Sequence, residues 1–588
     1  METISADVAI VGAGGAGLRA ALALADAAPK LRIALISKVY PMRSHTCAAE
    51  GGAAGVIKPD DSLAQHFEDT VGGGDWLSDQ DAVEYFIREA PKELLQLEHW
   101  GCPWSREPDG SVAVRPFGGM KLMRTWFAAD KSGFHILHTL FQTSLKYTSI
   151  RRFDEYYATD LLVEDGRCRG LTAIEMRSGQ MRHFDAGAVI LAGGGAGRMF
   201  AFTTNGAIKT GDAMALAYRA GVPLKDMEFV QYHPTGLPST GTLLTEACRG
   251  EGGVLLNRHG RRFLQDYGMG PETPLGHPVL KTMELGPRDR VSQAFWHEQR
   301  KGNAVSTRWG DAMLLDMRHL GEKKIDERLP LVRDMSISYM GVDPVKDPVP
   351  VRPVVHYMMG GIHTDIKAAT PLAGLFAAGE CACVSINGAN RLGSNSLTEL
   401  LVFGRRAALS SLEYLESQGA HRGAAEGAAE KALGRIRELL QRAGGGESVA
   451  GLRKEMMHAM EQHAGIYRSG EGLAAACAKL AELRRRYRNL ELHDRTNVYN
   501  TDLLQALELG SMLDCAEAVV QSAAARKESR GAHQRLDFPE RDDRNYLRHS
   551  LAYYRGAEAP GIDYRDVVIT KSKPGVRDYS GEHARAHA

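Results

Sequence analysis

The sequence predicts an α/β fold in which a doubly wound parallel sheet is interrupted by an inserted α+β unit and followed by helices and a small C-terminal unit. Three short apolar segments, 7–11, 188–192 and 374–378, are typical of buried strands, and each runs into a glycine-containing turn. Nucleotides bind where such strands end, at one edge of a doubly wound sheet. From about residue 405 to 526 the pattern of apolar residues becomes helical.

The first of these strands opens a βαβ unit. It runs into Gly12-Ala-Gly14-Gly15-Ala-Gly17, an Ala/Leu-rich helix follows to about residue 28, and 31–37 predicts a second strand. Gly12 and Gly14 let backbone amides approach a pyrophosphate, and Gly17 permits close packing of the helix on the strand. Ser37-Lys38 stands where an NAD-binding unit usually carries a carboxylate for the ribose, which favours FAD held by other contacts.

The later strands return the sheet to the cofactor, so the predicted Rossmann-like FAD-binding domain is discontinuous, with residues 1–236 and 353–415. The segment between them, 237–352, is rich in Gly, Pro and charge and predicts an α+β capping domain that serves as a lid. Residues 416–540 predict a helical bundle domain and 541–588 a small C-terminal domain. One helical stripe predicts core packing: Leu473, Cys477, Leu480, Leu483, Tyr487 and Leu490.

The charged segment 526–537 has two open interpretations. Its composition is that of a solvated turn, but it can equally form a closing contact near the flavin or a partner.

Composition excludes several classes of protein. The formal net charge is zero and the hydrophobic fraction is 44%, so nothing indicates nucleic-acid binding. The eight cysteines are scattered without a CxxC pair, which argues against a zinc site or an iron–sulfur cluster held by this chain, and we predict no metal. No apolar run approaches the ~20 residues of a membrane span. With no secretion signal visible at its start, the chain is expected to be cytosolic and to meet a membrane only through other subunits.

The run Arg43-Ser44-His45-Thr46, followed by Glu50-Gly51-Gly52, comes directly after the nucleotide-binding unit. A histidine at this place lies where the isoalloxazine of FAD is expected, so His45 can tether the flavin covalently. Such a bond raises the reduction potential of a flavin, which few substrates require. Succinate and fumarate are one such pair.

Further polar groups stand in Gly- and Pro-rich turns, where loops usually present functional side chains. A dicarboxylate substrate explains them together, because two carboxylates need several donors and an arginine offers a bidentate fork. These groups are Gln231-Tyr-His233-Pro-Thr235, Thr245-Glu246-Ala-Cys248-Arg249, Pro287-Arg288-Asp289, His356-Tyr-Met-Met and Asn390-Arg391-Leu-Gly-Ser394-Asn395-Ser396.

Over nearly its whole length the chain resembles the flavoprotein subunits of succinate dehydrogenases and fumarate reductases. The motifs that carry the resemblance occur in the family's order: Arg-Ser-His-Thr at 43–46, Gln-Tyr-His-Pro-Thr-Gly at 231–236, Cys-Arg-Gly-Glu-Gly-Gly at 248–253, His-Tyr-Met-Met-Gly-Gly at 356–361 and Gly-Ala-Asn-Arg-Leu-Gly-Ser-Asn-Ser at 388–396.

The resemblance implies roles for individual residues. FAD would be bound covalently to His45, and the substrate carboxylates would be held by His233, His356 and Arg391, with Thr245 assisting and Phe117 in contact. Arg288 would exchange a proton with the substrate carbon, backed by Glu246 and Arg249 as a relay. Cofactor contacts would come from Gly12, Gly14, Gly15, Gly17, Ser37, Lys38, Ser44, Thr46, Glu50, Gly51, Gly52, Asp212, Glu380, Arg391, Ser396 and Leu397.

Ala49-Glu50-Gly51-Gly52 bears on the physiological direction. Reductases of the family tend to carry Glu at this position and dehydrogenases Gln, so the sequence favours a menaquinol-linked fumarate reductase of anaerobic respiration. The alternative is a succinate dehydrogenase flavoprotein of the citric acid cycle and the aerobic respiratory chain. Three other classes are disfavoured: a soluble oxidase such as the related L-aspartate oxidases, which lack the tethering histidine, a non-catalytic flavin-binding module, and an NAD-linked dehydrogenase.

The resemblance also implies partners. Electrons leaving FAD need an iron–sulfur subunit, which docks on one or more membrane-anchor subunits that carry the quinone site. An assembly factor is possible for flavin attachment. The expected location is the cytoplasmic face of the inner (cell) membrane, reached through those partners.

Overall fold

A computed structural model describes residues 1–418, 426–442 and 446–577. Its main sheet places the first strand, Glu2–Val11, between Ile33–Ser37 and Gln180–Leu191, parallel to both. Ile150–Asp154 adds to one side and Leu375–Ala377 pairs with Gln180–Leu191, also in parallel. The antiparallel strands Tyr156–Glu164 and Arg167–Glu175 complete the seven. All four predicted strands are therefore present in one sheet.

The Ala/Leu-rich segment forms the helix Gly15–Ala27, and its residues 15–25 are all buried. Small side chains let it pack closely against Asn395–Gln418 and Ser132–Ser144 on one side of the sheet. The remaining elements of this region are helices Leu63–Gly73, Gln80–His99 and Asp212–Arg219 and short strands Ala53–Ala54, Val114–Arg115 and Thr125–Trp126. The predicted doubly wound fold with an inserted capping unit and helices after it is confirmed.

The chain leaves this region along Val230–Gly236 and returns along Val349–Met358, and these two strands pair antiparallel. Residues between them contribute Gly310–Asp316, Val254–Leu256 and Val305–Thr307 to the same sheet. The insertion has its own hydrophobic cluster, built from residues between Leu237 and Val351. Its helices are Ala247–Gly250, Arg288–Arg300, Gly321–Arg328 and Pro330–Met340. The boundaries 237–352 remain a prediction that this cluster supports.

The helical region consists of Glu426–Gln441, Val449–His463, Gly470–Tyr487 and Thr501–Ala525. The stripe predicted to pack in the core does so: Leu473, Leu480, Leu483 and Leu490 are fully buried, and Cys477 and Tyr487 pack against the same cluster. Within the predicted domain 416–540, residues 419–425 and 443–445 lie outside the described part of the chain, as do 578–588 of the predicted domain 541–588.

The C-terminal strands Arg548–Tyr553 and Gly561–Asp566 join a sheet with Leu224–Lys225, Gly361–His363 and Ala382–Cys383. The C-terminal unit is thus built onto the FAD-binding region through a shared sheet. Short elements complete the fold: the strand pair Tyr467–Arg468 and Gln534–Arg535, and the helix Asp543–Tyr546. Single 3-10 turns occur at Pro41–Arg43, His45–Ala48, Gly197–Met199, Phe263–Tyr267, Met283–Leu285 and Arg318–Leu320.

The charged segment 526–537 is not a solvated turn, so that interpretation is wrong. Arg526, Glu528 and Arg530 are fully buried and pair with one another and with Glu228. The backbone N–H of Ala532 donates to Ala389 O, two residues before Arg391, over 2.9 Å. Its charges are buried because they neutralise each other, and the segment closes over the loop that carries Arg391.

Candidate active site

A deep cleft opens at the carboxyl ends of the parallel strands, as the fold class predicts. The N-terminal end of the helix Gly15–Ala27 lines one part of this cleft. The first turn of that helix holds no acidic residue. Most of the predicted cofactor residues line it: Gly12, Gly14, Gly15, Ser37, Lys38, Ser44, His45, Thr46, Glu50, Asp212, Glu380, Ser396 and Leu397.

The other predicted cofactor residues lie outside the cleft lining. Gly17 serves packing, because a Cβ there would lie 1.8 Å from the carbonyl oxygen of Gly12. Gly52 has φ +133° and faces Trp126, while a Cβ on Gly51 would lie 2.6 Å from the ring of Phe117. Arg391 belongs to the neighbouring chamber described below.

The second strand, Ile33–Ser37, ends at Ser37, so its carboxyl end presents Ser37 and Lys38 to the cleft and no carboxylate. Lys38 instead binds Asp212 at 2.5 Å and Glu508 at 2.8 Å, and so joins the sheet to the helix Thr501–Ala525. Burial alone would lower the pKa of Lys38, but the two carboxylates outweigh it and raise that pKa. Asp212 therefore reaches the cleft as the partner of a lysine.

His45 lines the same cleft at the start of a 3-10 turn. The backbone N–H of Gly206 donates to its Nδ1 over 3.4 Å. Burial, and secondarily the charge of Lys209, lowers the pKa of His45 well below its ordinary value, so the ring is neutral. Lys209 is itself paired with Glu380, another residue of the cleft.

His233 and His356 lie on the paired strands that leave and re-enter the FAD-binding region, which brings their ring centroids within 5.1 Å of each other. The N–H of Thr235 points at Nδ1 of His233 over 3.3 Å, so the neutral ring carries its proton on Nε2. That Nε2 is buried without a hydrogen-bond partner among the described residues. Burial, then the nearby Arg288, holds the pKa of both histidines well below the ordinary range.

Arg288 is the first residue of the helix Arg288–Arg300, and its Nε donates to Oε2 of Glu246 over 2.7 Å. Arg249 approaches the same carboxylate oxygen at 3.6 Å from the other side. Burial would raise the pKa of Glu246, but the two guanidiniums outweigh it and hold that pKa below its usual value. The three residues thus form a row of two ion pairs, and the proton relay assigned to them stays a prediction.

Arg391 completes the chamber. Its Nη2 donates to Oε1 of Gln231 over 3.2 Å, and Nη1 of Arg288 donates to the same oxygen over 3.2 Å. The Arg391 guanidinium also lies 4.3 Å from the ring centre of Tyr357, a cation–π distance. Burial, and then the charge of Arg288, lowers the pKa of Arg391 to about 10.

The charges in this chamber do not balance. Arg249, Arg288 and Arg391 are buried cations, and within the described part of the chain Glu246 is the carboxylate ion-paired with them. Three guanidiniums against this carboxylate leave a surplus of two. The other carboxylates whose charges reach them are accounted for separately: Glu380 pairs with Lys209, Glu284 pairs with Arg262, and burial raises the pKa of Glu399 to about 7. The Nε atoms of Arg249 and Arg391 also find no hydrogen-bond partner among the described residues. Buried polar groups are normally satisfied, so these donors indicate a site for a doubly charged anion.

Phe117 borders the chamber, and Thr245 lies next to Gly51, with its Oγ1 3.7 Å from a Cβ built there; their contacts with the substrate stay a prediction. A Cβ on Gly393 would lie 2.8 Å from Phe117 Cδ1 and 3.3 Å from Glu246 Oε2, so the missing side chain keeps this space open. Glu50 accepts a hydrogen bond from the backbone of Thr245, and burial, with the charge of Asp130, raises the pKa of Glu50 well above its ordinary value. Glu50 therefore lies between the cofactor cleft and the chamber.

Four residues of the cleft and chamber were given no role by the sequence analysis. Gln231 and Gly393 stand within the motifs already singled out, and their polar or missing side chains were the available signal. Thr204, whose hydroxyl lies 2.8 Å from His356 Nδ1, and Lys209 come from a loop with no such motif.

Comparisons with known proteins agree with this geometry. One family model, described as FAD binding domain, matches residues 7–397, and another, described as Fumarate reductase flavoprotein C-term, matches 453–579. The fumarate reductase flavoprotein subunits of Serratia sp. (strain ATCC 39006) and Escherichia coli (strain K12) are 59% and 58% identical to the chain, covering 99% of it and 98% and 97% of their own lengths.

A succinate dehydrogenase flavoprotein subunit, from Rickettsia bellii (strain RML369-C), is 44% identical, with 96% of this chain and 95% of the relative covered. The solved structure of a variant flavoprotein of E. coli quinol fumarate reductase superposes with a TM-score of 0.97 at 58% identity, covering 99% of this chain and 100% of that one. The chain belongs to the fumarate reductase flavoprotein family, which confirms the resemblance that the motifs predicted.

Proposed function

We propose that the chain is the catalytic flavoprotein subunit of a membrane-associated fumarate reductase, which interconverts fumarate and succinate. The observation that carries the proposal is the surplus of two buried positive charges in the chamber. Arg249 and Arg288 flank Glu246, and Arg391 shares the Gln231 oxygen with Arg288. A dicarboxylate dianion neutralises that surplus and meets the unpartnered donors. The family relatives named fumarate reductase support the same substrate.

Each side chain of the chamber has a proposed role in binding or reduction. Arg391, His233 and His356 surround the space between cleft and chamber, and they would hold the two carboxylates by hydrogen bonds and charge. Drawing negative charge toward these groups polarises the alkene for reduction at one carbon. Phe117 and the open space at Gly393 give the carbon skeleton an apolar neighbour.

Arg288 would deliver the proton to the second carbon. Its guanidinium is held between Glu246 and Gln231, so it points in a fixed direction. An arginine normally keeps its proton, but carbanion character developing at the substrate carbon is basic enough to accept it. Glu246, which is ionised at rest, would take a proton from Arg249 and pass it to Arg288. Arg249 would then be reprotonated from solvent, which restores the starting charges.

The cofactor cleft fits FAD. Backbone amides at the start of Gly15–Ala27 face it with no acidic competitor, which suits a pyrophosphate. His45 would hold the flavin covalently, since its Nδ1 accepts from Gly206 and Nε2 is the nitrogen left for a bond. When bound, FAD supplies the two-electron redox chemistry.

The direction of fumarate reduction is favoured by Glu50 and by the comparisons. Fumarate reductase flavoprotein relatives reach 57–59% identity, whereas the succinate dehydrogenase relatives are 43–44% identical. The succinate dehydrogenase flavoprotein is the alternative, and it would use the same site. An assay of both directions in the purified complex, with menaquinol and with ubiquinone, would separate them: faster succinate oxidation than fumarate reduction would favour the alternative.

The proposed partners are an iron–sulfur subunit and membrane-anchor subunits with a quinone site. A solved quinol–fumarate reductase with menaquinol molecules, 58% identical to this chain, supports the quinone-linked complex. Within the described residues, no helix is both long and apolar enough to cross a membrane. Peripheral attachment to the cytoplasmic face of the cell membrane through the partners is therefore part of the proposal.

The dicarboxylate site can be tested apart from turnover. Malonate, a dianion with the same charge, should perturb the absorbance spectrum of the FAD-loaded chain and saturate, and acetate at equal ionic strength serves as the control. Saturable perturbation by malonate alone is expected. Equal response to acetate, or none to malonate, would contradict a dianion site next to the flavin.

A further inference from the structure

The last described segment of the chain, 567–577, runs back over the FAD-binding region as an extended strap. Gln80 binds this strap through several hydrogen bonds. Its side-chain Oε1 accepts from the backbone N–H groups of Thr570, Lys571 and Ser572 at 2.9–3.0 Å. Its backbone N–H donates to Val568 O over 2.9 Å. The indole N–H of Trp76 donates to Ser572 Oγ over 3.2 Å. The strap is therefore fixed to the region that binds the cofactor.

The strap ends at the capping region. Arg577 forms a bidentate ion pair with Asp289, at 2.6 and 3.1 Å, and these side chains are 5% and 1% exposed. Asp289 follows Arg288 directly, in the first turn of the helix Arg288–Arg300. A buried bidentate ion pair fixes the relative position of its two side chains as well as pairing their charges. The strap therefore holds the N-terminal end of the helix, where Arg288 lies.

The same guanidinium also faces Asp75, with Arg577 Nη1 3.8 Å from its Oδ2. Asp75 and Trp76 both have left-handed backbone conformations, with φ of 55° and 56°. Non-glycine residues adopt this conformation at an energetic cost, which the surrounding contacts must offset. Those contacts include the strap, through Trp76 and Ser572, and Arg541, which binds Asp75 at 2.9 Å.

We propose that Arg577 is a positioning residue for proton delivery: through Asp289 it sets the place of Arg288 relative to the flavin-side chamber. The inference rests on the proposed function, because it assigns Arg577 to the geometry of that reaction. Arg288 itself donates hydrogen bonds to Glu246, in the capping insertion, and to Gln231, on the strand that leads into it. The ion pair between Arg577 and Asp289 also connects the start of this helix to the C-terminal strap.

Removing Arg577 would leave Asp289 as a buried carboxylate without its ion-pair partner, and the helix end would shift to hydrate it. A displacement of about 1 Å at a reacting group lowers a rate by about 100-fold. Substrate binding is assigned to Arg391, His233 and His356, which are positioned by other contacts: Arg391 by Gln231 and Ser396, His233 by Thr235, and His356 by Thr204. The effect should thus fall on kcat and leave KM for fumarate almost unchanged.

The test compares R577A, R577K and wild type in the assembled complex, by fumarate reduction with a reduced viologen and by hydrogen exchange. For R577A we expect kcat to fall about 10- to 100-fold with KM within about two-fold, and faster exchange confined to 288–300. R577K keeps the charge but lacks the bidentate fork, so it should recover part of kcat. R548A is the matched control, since Arg548 pairs with Asp566 on the surface of the same C-terminal unit.

D289N is a second variant, which removes the charge of Asp289 but keeps the size of its side chain. It tests the same ion pair if R577A fails to fold. It should lower kcat in the same manner, and R577A/D289N should be no worse than R577A alone. Wild-type kcat in D289N, or a rise in KM without loss of kcat in R577A, would overturn the proposal. If the wild-type complex reduces no fumarate, the proposed function fails instead, and the exchange at 288–300 still reports whether the strap holds the helix.

Discussion

Arg288 and Glu246 meet at 2.7 Å in a pair that is almost completely shielded from solvent, with the guanidinium 6% and the carboxylate 0% exposed. Because Gln231 accepts a second hydrogen bond from Arg288, the guanidinium is fixed on two sides. A charged proton donor held in this way next to a chamber with surplus positive charge is the core of the proposed chemistry. Three predictions test its parts, and a fourth concerns stability.

Replacing Arg288 by lysine keeps the charge but cannot reach Glu246 and Gln231 together. We expect the kcat of fumarate reduction to fall by about 100- to 10,000-fold, the usual contribution of a positioned acid, whereas malonate still perturbs the flavin spectrum. Arg290, an exposed neighbour on the same helix, supplies the control R290K. R288K activity above about a tenth of wild type would contradict this role, since such a loss is below the range for a lost acid.

Replacing Gln231 by glutamate places a negative charge between Arg288 and Arg391, which now share its Oε1. This reduces the surplus that attracts the dianion, so KM for fumarate should rise by about ten-fold or more, equivalent to about 1.4 kcal/mol of binding. The neutral variant Q231M loses the acceptor but adds no charge, and should raise KM less. Equal KM values for Q231E and Q231M would show that the charge surplus does not govern binding.

Replacing His45 by serine removes the nitrogen that would bond the flavin and leaves the rest of the cleft intact. FAD should stay bound but be released by acid precipitation, where fluorescence of the supernatant measures it. Since the covalent bond raises the reduction potential, succinate oxidation should suffer more than fumarate reduction. Loss of both activities by the same factor would refute the argument from potential.

His549 gives a prediction for stability against pH. It is fully buried between Asp226 at 2.7 Å and Asp79 at 3.0 Å. Burial alone would lower the pKa of His549, but the two carboxylates outweigh it and raise that pKa to about 9 from an ordinary value of 6.5.

Because the folded pKa is the higher one, the stabilisation is complete below pH 6.5 and is lost as pH rises toward 9. It amounts to roughly 3 kcal/mol at most. Melting curves of wild type and H549Q should therefore differ more at pH 6 than at pH 9.5. A difference in melting temperature that does not change over that range would contradict a charged His549.

Much of the fold and site followed from local sequence. The strand, glycine turn and helix at 7–28 are encoded within a single segment, and the antiparallel pairing that brings His233 to His356 follows from an insertion that must leave and return beside itself. Burial of the stripe from Leu473 to Leu490 was predictable from its helical period.

Other features depend on contacts between distant segments and could not be predicted. Nothing local shows that Arg548–Tyr553 pairs with Leu224–Lys225, or that Arg577 reaches Asp289. Composition also led to a wrong interpretation of 526–537, because a run of charged residues usually indicates a solvent-exposed turn. Arg526 is buried there because Glu228 and Glu528 supply its counter-charges.

The measurement that tests the central claim most directly is fumarate-dependent oxidation of a reduced viologen by the purified, FAD-loaded chain, with malonate as competitor. The dye bypasses the iron–sulfur and membrane partners, so only the flavin cleft and the dicarboxylate chamber are tested. Turnover that malonate inhibits competitively is the predicted result. A flavin-loaded chain that shows no turnover with fumarate would contradict the account and direct the search to another substrate, beginning with aspartate.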